Sequence, residues 1–136
     1  MASNDASLRT AVVGVGYLGR FHAQKYAQLP GSRLVAVVDA NPEAAAKVAA
    51  ELGVEALEDY RALAGRVDAV SLAVPTPLHH RIGCELLEQG IHVLIEKPIA
   101  TTVQEARELI ELARRRGCVL QVGHLGRDLH LAGAAG

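Results

Sequence analysis

Residues 8–19 read LRTAVVGVGYLG, an apolar run that ends in Gly14-Val15-Gly16-Tyr17-Leu18-Gly19. The pattern predicts a buried strand from Leu8 to Val15, then a tight turn into a helix reaching about Leu29 and stopped by Pro30-Gly31. Gly14 would allow the change of direction, Gly16 would let the backbone approach a pyrophosphate, and Gly19 would let the helix pack close on the strand. Tyr17 and Leu18 lie inside the same turn, where free amides at the helix N-terminus face the phosphate charge. Glycines also punctuate ordinary turns, so the fingerprint needs context. Here a strand precedes it, a helix follows, and Asp39 lies twenty residues beyond Gly19 at the end of the next apolar run. Dinucleotide binding is the expectation. Asp39 would accept hydrogen bonds from both adenosine ribose hydroxyls, whereas a 2′-phosphate would meet its carboxylate, so NAD is expected over NADP. Arg33 sits at the start of that run, too far back to offset the repulsion.

Outward from this turn the chain alternates. Arg33 to Asp39 reads as a short buried strand, and Asn41-Pro42-Glu43 opens a helix with an N-cap, a first-turn proline and an acid near the positive end. That helix runs to Leu52 and stops at Gly53, followed by a weak strand at Val54 to Leu57 and a short helix near Asp59 to Ala64. Val67 to Val74 is apolar and is broken by Pro75-Thr76-Pro77; a helix from about Leu78 to Gln89 then ends at Gly90. His92 to Ile95 is a strand running into Glu96-Lys97-Pro98. The last helix has Thr102 and Glu105 at capping-box spacing and Arg114, Arg115 and Arg116 at its negative end, with Gly117 as the stop. Val119 to Val122 closes the pattern. Strand and helix in strict alternation predict an α/β fold, a doubly wound parallel sheet in three α/β/α layers. No internal repeat or low-complexity linker interrupts it, and only the final LAGAAG looks like a loose end.

Composition agrees and excludes other classes. The 136 residues suit one domain; half are apolar and 21% charged, with a mean hydropathy of +0.18. Without Trp, and with one Phe and three Tyr, the core must be built from Ala, Val, Leu and Ile, which suits parallel strands buried on both faces. Fourteen basic against fifteen acidic residues leave a net charge of -1, without the basic face that nucleic acid requires. No apolar run approaches the roughly 20 residues of a membrane span. The N-terminus lacks the pattern of an export signal, so a cytoplasmic location is expected. Cys84 and Cys118 sit among apolar neighbours, as reduced core thiols do.

The six histidines do not make a metal site. His79 and His80 are adjacent and point apart on a helix, with no carboxylate or thiol at ligand spacing; His22 reads as a packing or capping residue and His92 as structural. His124 follows the last strand, where facing the ligand crevice and facing away are equally open. Lys97 lies at the carboxyl end of a strand, the edge where open α/β sheets bind ligands, and a lysine there can serve as general acid or base. The plain alternative is a solvated lysine beside an acid.

Taken together and in order, residues 14–19, Asp39, Val74-Pro-Thr-Pro-Leu-His79, Gly90-Ile-His-Val-Leu-Ile-Glu-Lys-Pro98 and Val122-Gly-His124 closely resemble the N-terminal half of the Gfo/Idh/MocA oxidoreductases. That family includes glucose–fructose oxidoreductase, inositol dehydrogenase and sugar-nucleotide dehydrogenases. The resemblance implies an NAD-binding Rossmann domain over residues 8–127, and an oxidoreductase acting on a sugar-like secondary alcohol. It implies that Lys97 assists proton transfer at the hydroxyl being oxidised, that Glu96 lies near the nicotinamide ribose, and that the Lys97–Pro98 peptide is cis. It also implies that Pro75, Thr76 and His79 border the nicotinamide end of the cofactor. In the family, a stretch like x-x-Arg-Phe-Asn-Pro leads from Val-Gly-His into a second, substrate-binding α/β domain. Here Arg127 fits, but residues 128–136 diverge and the chain ends. The expectation is a cofactor domain without its substrate domain, through truncation, frameshift or natural single-domain design. A non-catalytic NAD-binding module is the alternative. The oligomeric state is left open.

Overall fold

The fold was obtained as a computed structural model that describes residues 7–123. Six strands, β1 (Leu8–Val13), β2 (Ser32–Val38), β3 (Glu55–Leu57), β4 (Ala69–Leu72), β5 (His92–Glu96) and β6 (Leu120–Gly123), form one sheet in the order β3-β2-β1-β4-β5-β6. Every neighbouring pair is parallel. The connections carry helices α1 (Tyr17–Gln28), α2 (Pro42–Leu52), α3 (His79–Glu88) and α4 (Val103–Arg116), with single 3-10 turns at Tyr60–Leu63 and Thr76–Leu78. The strand order reverses between β1 and β4. This is the doubly wound Rossmann arrangement expected from the alternation, and its ligand crevice lies beyond the carboxyl ends of the strands at that reversal.

Alternate residues of the central strands face opposite layers. Ala11, Val13, Ala36 and Val38 join Leu72, Val93 and Ile95 against Ile82, Leu86 and Leu87 of α3 and Leu109 and Leu112 of α4. Val12, Leu34 and Val37 pack on the other face against Ala23 and Tyr26 of α1 and Val48 and Ala49 of α2. The sheet is therefore buried on both sides by small and branched residues. That is why its strands read as continuous apolar runs.

Caps hold the elements where the sequence placed them. The Asn41 side chain accepts from the Glu43 and Ala44 amides at 3.0 and 3.4 Å, and Thr102 Oγ1 accepts from the Glu105 amide at 3.1 Å. Arg116, at the far end of α4, donates to the Glu88 carbonyl at 2.7 Å, tying α4 to the end of α3. The His92 ring is structural: its Nδ1 accepts from the Val119 amide at 2.9 Å.

Three boundaries differ from the sequence reading. The first strand stops at Val13 because Gly14 turns the chain at φ +93°. The run from Val67 to Val74 pairs only over Ala69–Leu72, because β1 offers it partners only from Thr10 to Val13. The helix near Asp59 is a single 3-10 turn, started by the Asp59 carboxylate accepting from the Arg61 amide at 2.9 Å. Both cysteines are half-buried and free. Among the described residues no helix is long and apolar enough to cross a membrane. His124 and the tail of residues 128–136 lie outside the described residues.

Candidate functional site

The glycine turn is the tightest part of the crevice. The Gly14 amide donates to the Val38 carbonyl at 2.7 Å, and a Cβ on Gly14 would lie 2.8 Å from the Ala73 carbonyl oxygen. Gly19 is in closer contact still. A Cβ there would fall 1.7 Å from the Gly14 carbonyl oxygen, so the first turn of α1 rests directly on the loop that leads into it. Gly16 differs from both: it is exposed, and a Cβ on it would meet nothing within 4 Å. It forms the N-cap of α1 with no side-chain cap, and no acid occupies the first turn. The positive end of the helix is thus left without a side-chain partner, which suits an anion.

Asp39 follows the end of β2 and is wired to that turn. Its Oδ2 accepts from the Val15 amide at 2.9 Å and its Oδ1 from the Asn41 amide at 2.9 Å. An ionised carboxylate offers about four lone-pair sites. Each oxygen keeps one free, so the residue can hold the loop and still accept two hydroxyl donors.

A cavity of about 820 Å³ lies over these groups, lined by Gly14, Gly16, Asp39 and Pro75 and further out by Tyr60, Arg61, Leu78 and Arg81. Sequence reading assigned nothing to Tyr60 or Arg61, which lie in the weakest helix of the pattern, or to Arg81 on α3. Arg61 lies over the Tyr60 ring at 5.1 Å and pairs with Asp59 and Glu85, each at 3.3 Å, so its charge is already engaged. Tyr17 stands outside the cavity, 93% exposed, beside a shallower hollow of about 350 Å³ shared with Arg20 and Lys47. Leu18 and Thr76 are half-buried, and Gly19 is buried in the helix–loop contact.

The Glu96-Lys97-Pro98 turn ends β5. The Lys97–Pro98 peptide is cis, as the family resemblance implies. Lys97 is exposed, and the Glu96 carboxylate turns inward to 5% exposure. Glu96 Oε2 lies 2.9 Å from Nε2 of His22, a fully buried ring on α1, and Nδ1 of the same ring is hydrogen-bonded to Ser71 on β4. Ser71 in turn bonds the Tyr26 hydroxyl. Burial holds the His22 imidazole below its ordinary range, against the pull of Glu96. A neutral ring donates from Nε2 to the carboxylate and accepts at Nδ1 from the Ser71 hydroxyl. Sequence reading took His22 as a packing or capping residue; its polar partners, 49 and 74 residues away, left no local signal.

His79 is the second buried ring near this turn, 3% exposed. Its Nδ1 lies 3.1 and 3.2 Å from the carbonyl oxygens of Pro98 and Ile99, and its Nε2 lies 2.9 Å from that of Val74. His79 thus bridges the loop after β4 and the loop after β5 from beneath. His80 points away and pairs with Glu108 on α4 at 2.7 Å.

Burial raises the Tyr26 hydroxyl to about 12 from its ordinary 10. The unfolded chain ionises this group first. Its contribution is therefore full below pH 10 and is lost as pH rises through that interval toward 12. Between about pH 9 and about pH 11.5, urea unfolding should show a loss of about 2 kcal/mol that Tyr26→Phe does not share. Parallel losses in both proteins would remove Tyr26 as the cause.

Residues 8–124 match the family described as "Oxidoreductase family, NAD-binding Rossmann fold". The chain is 48% identical over 120 residues to UDP-N-acetylglucosamine 3-dehydrogenase of Acidithiobacillus ferrooxidans, covering 88% of this chain and 38% of that protein. A solved structure of that dehydrogenase superposes with a TM-score of 0.84, covering 90% of this chain and 40% of the other. Scyllo-inositol dehydrogenase from Lactobacillus casei, solved with bound NAD(H) and scyllo-inositol, is 27% identical with a TM-score of 0.80, covering 86% of this chain and 36% of that one. The chain thus spans well under half the length of these relatives.

Proposed function

The chain belongs to the Gfo/Idh/MocA oxidoreductase family as its NAD-binding Rossmann domain, and from that premise we propose that it binds NAD(H) in preference to NADP(H), for hydride transfer to or from a sugar-like secondary alcohol. The observation that carries the cofactor reading is the pairing of an open Gly16 with a tethered Asp39 on one cavity. Gly16 leaves room for a diphosphate against the uncapped end of α1, and Asp39 keeps two lone pairs for the ribose diol. A 2′-phosphate beside that carboxylate would suffer charge repulsion, and the nearby Arg61 is already paired. A cavity of about 820 Å³ suits a large cofactor.

Bound nicotinamide supplies the hydride acceptor. In this reading the residues at the ends of β4 and β5 serve the other half of the reaction. Lys97, exposed at the end of β5, takes the proton of the hydroxyl being oxidised, while Pro75 borders the crevice from the loop after β4. Glu96, which the family resemblance sets near the nicotinamide ribose, is buried and held by His22. Thr76 and His79 belong to the wall at the nicotinamide end. The names of the relatives support a cyclitol or nucleotide-sugar substrate. Half-buried free thiols suit a reducing cytoplasm.

Calorimetric titration of the chain with NADH and NADPH tests the cofactor reading, and Gly16→Ala sharpens it. The added methyl has open space in the free protein, so the melting temperature should hold, while NADH affinity should fall about tenfold or more because the methyl stands where the diphosphate must approach. Unchanged NADH affinity in that variant would rule out a diphosphate at Gly16.

A further inference from the structure

Lys97 meets no side-chain partner among the described residues, although the proposed proton transfer depends on where its ammonium sits. The residues on either side of it are held firmly. Before it, the Glu96 carboxylate is bonded to His22 at 2.9 Å, and a Cβ on Gly123 would lie 3.1 Å from Glu96 Oε2, so β6 closes over the same group. After it, the Pro98 and Ile99 carbonyls face His79 Nδ1 at 3.1 and 3.2 Å, and the same ring reaches the Val74 carbonyl. Among the described residues Lys97 itself is fixed through its backbone, whose amide donates to the Gly123 carbonyl at 3.2 Å.

We infer that His22 and His79 are positioning residues for Lys97, two buried rings that grip the chain immediately before and after it and set where its ammonium can reach. The inference rests on reading the crevice as a dinucleotide site. Histidine suits the task because a short, rigid ring carries polar atoms on two edges. A neutral His22 donates to Glu96 and accepts from Ser71. His79, with carbonyl oxygens on both edges, bonds both loops at once only with both of its N–H groups present. The rings belong to different helices, His22 to α1 and His79 to the start of α3, so the turn is braced from two layers of the fold. Lys97 has a long, freely rotating stem; a base that also moved would spread its reach further. Misplacement of a reacting group by about 1 Å can cost about a hundredfold in rate.

Two measurements on the full 136-residue chain test this, and the first needs no ligand. In His22→Gln and in His79→Gln, hydrogen exchange at the Lys97 amide should accelerate about tenfold, while amides in the middle of β1 keep their rates. Equal acceleration throughout, or none at Lys97, would overturn the inference. The second compares NADH with ADP-ribose, which lacks the nicotinamide. His22→Gln, whose ring is fully buried, should keep ADP-ribose affinity within about twofold and lose about three- to tenfold in NADH affinity. His79 itself belongs to the proposed nicotinamide wall, so for His79→Gln the exchange measurement is the test. A parallel loss of both ligands in His22→Gln would show that its ring only stabilises the domain. If the unaltered chain binds neither ligand, the dinucleotide reading fails, and the exchange result alone decides the role of the two rings. The variants lie on different helices, so either carries the exchange test if the other is too unstable to purify.

Discussion

Replacing Gly19 with alanine is expected to cost at least about 3 kcal/mol of stability and to abolish NADH binding together with it. The added methyl would sit 1.7 Å from the Gly14 carbonyl oxygen and 2.7 Å from its carbon, and both are backbone atoms that no rotamer change can move aside. Helix α1 would have to withdraw from the loop, taking with it His22 and Tyr26, which are buried under the sheet. Thermal unfolding followed by circular dichroism reads the first effect and calorimetry the second. A variant that melts like the unaltered chain would mean that α1 can slide without loss, which the packing of Ala23 and Tyr26 against Val12 and Val37 opposes. Gly16→Ala provides the contrast, since there binding should fall while stability holds.

Asp39→Ala should lower NADH affinity by about a hundredfold or more, because two hydrogen bonds from the ribose hydroxyls to a charged acceptor vanish at once. It also frees the Val15 and Asn41 amides that the carboxylate now engages, so a modest loss of stability accompanies it. Selectivity should shift too: with the carboxylate gone, NADPH should lose far less affinity than NADH, and titration with both reads this directly. Asp39→Asn is a finer probe. The Val15 and Asn41 amides are both donors, one to each carboxylate oxygen, so an asparagine amide must face one of them with its own N–H groups whichever way it turns. It should therefore fall between the aspartate and the alanine in NADH affinity. Unchanged NADH binding in Asp39→Ala would refute the ribose assignment.

The fold was legible because each element carries its own punctuation. Asn41-Pro42 and Gly53 bracket α2, Thr102 and Gly117 bracket α4, and the glycine turn announces both β1 and α1. Boundaries were missed where pairing decides them, as at Val67–Val74, whose length in the sheet depends on how far β1 runs alongside. The cofactor half of the site was readable for a similar reason: Gly14, Gly16, Gly19 and Asp39 act through backbone turns and a strand end, which leave a local pattern. Tyr60, Arg61 and Arg81 reach the same cavity through a 3-10 turn and the exposed side of α3, for which spacing offers no rule. The bonds of His22 to Ser71 and Glu96 are invisible to periodicity, since a buried polar residue on an apolar face reads only as an interruption.

The position of β1 at the middle of the sheet has a bearing on how the chain is made. Its partner on one side, β2, emerges soon after it, but its partner on the other, β4, ends 34 residues later, at Leu72 against Val38. At a synthesis rate of about 5–20 residues per second, that open flank waits roughly two to seven seconds on the ribosome. Any pairing of β1 with β2 formed in that interval leaves bare the edge of β1 that β4 covers in the folded chain.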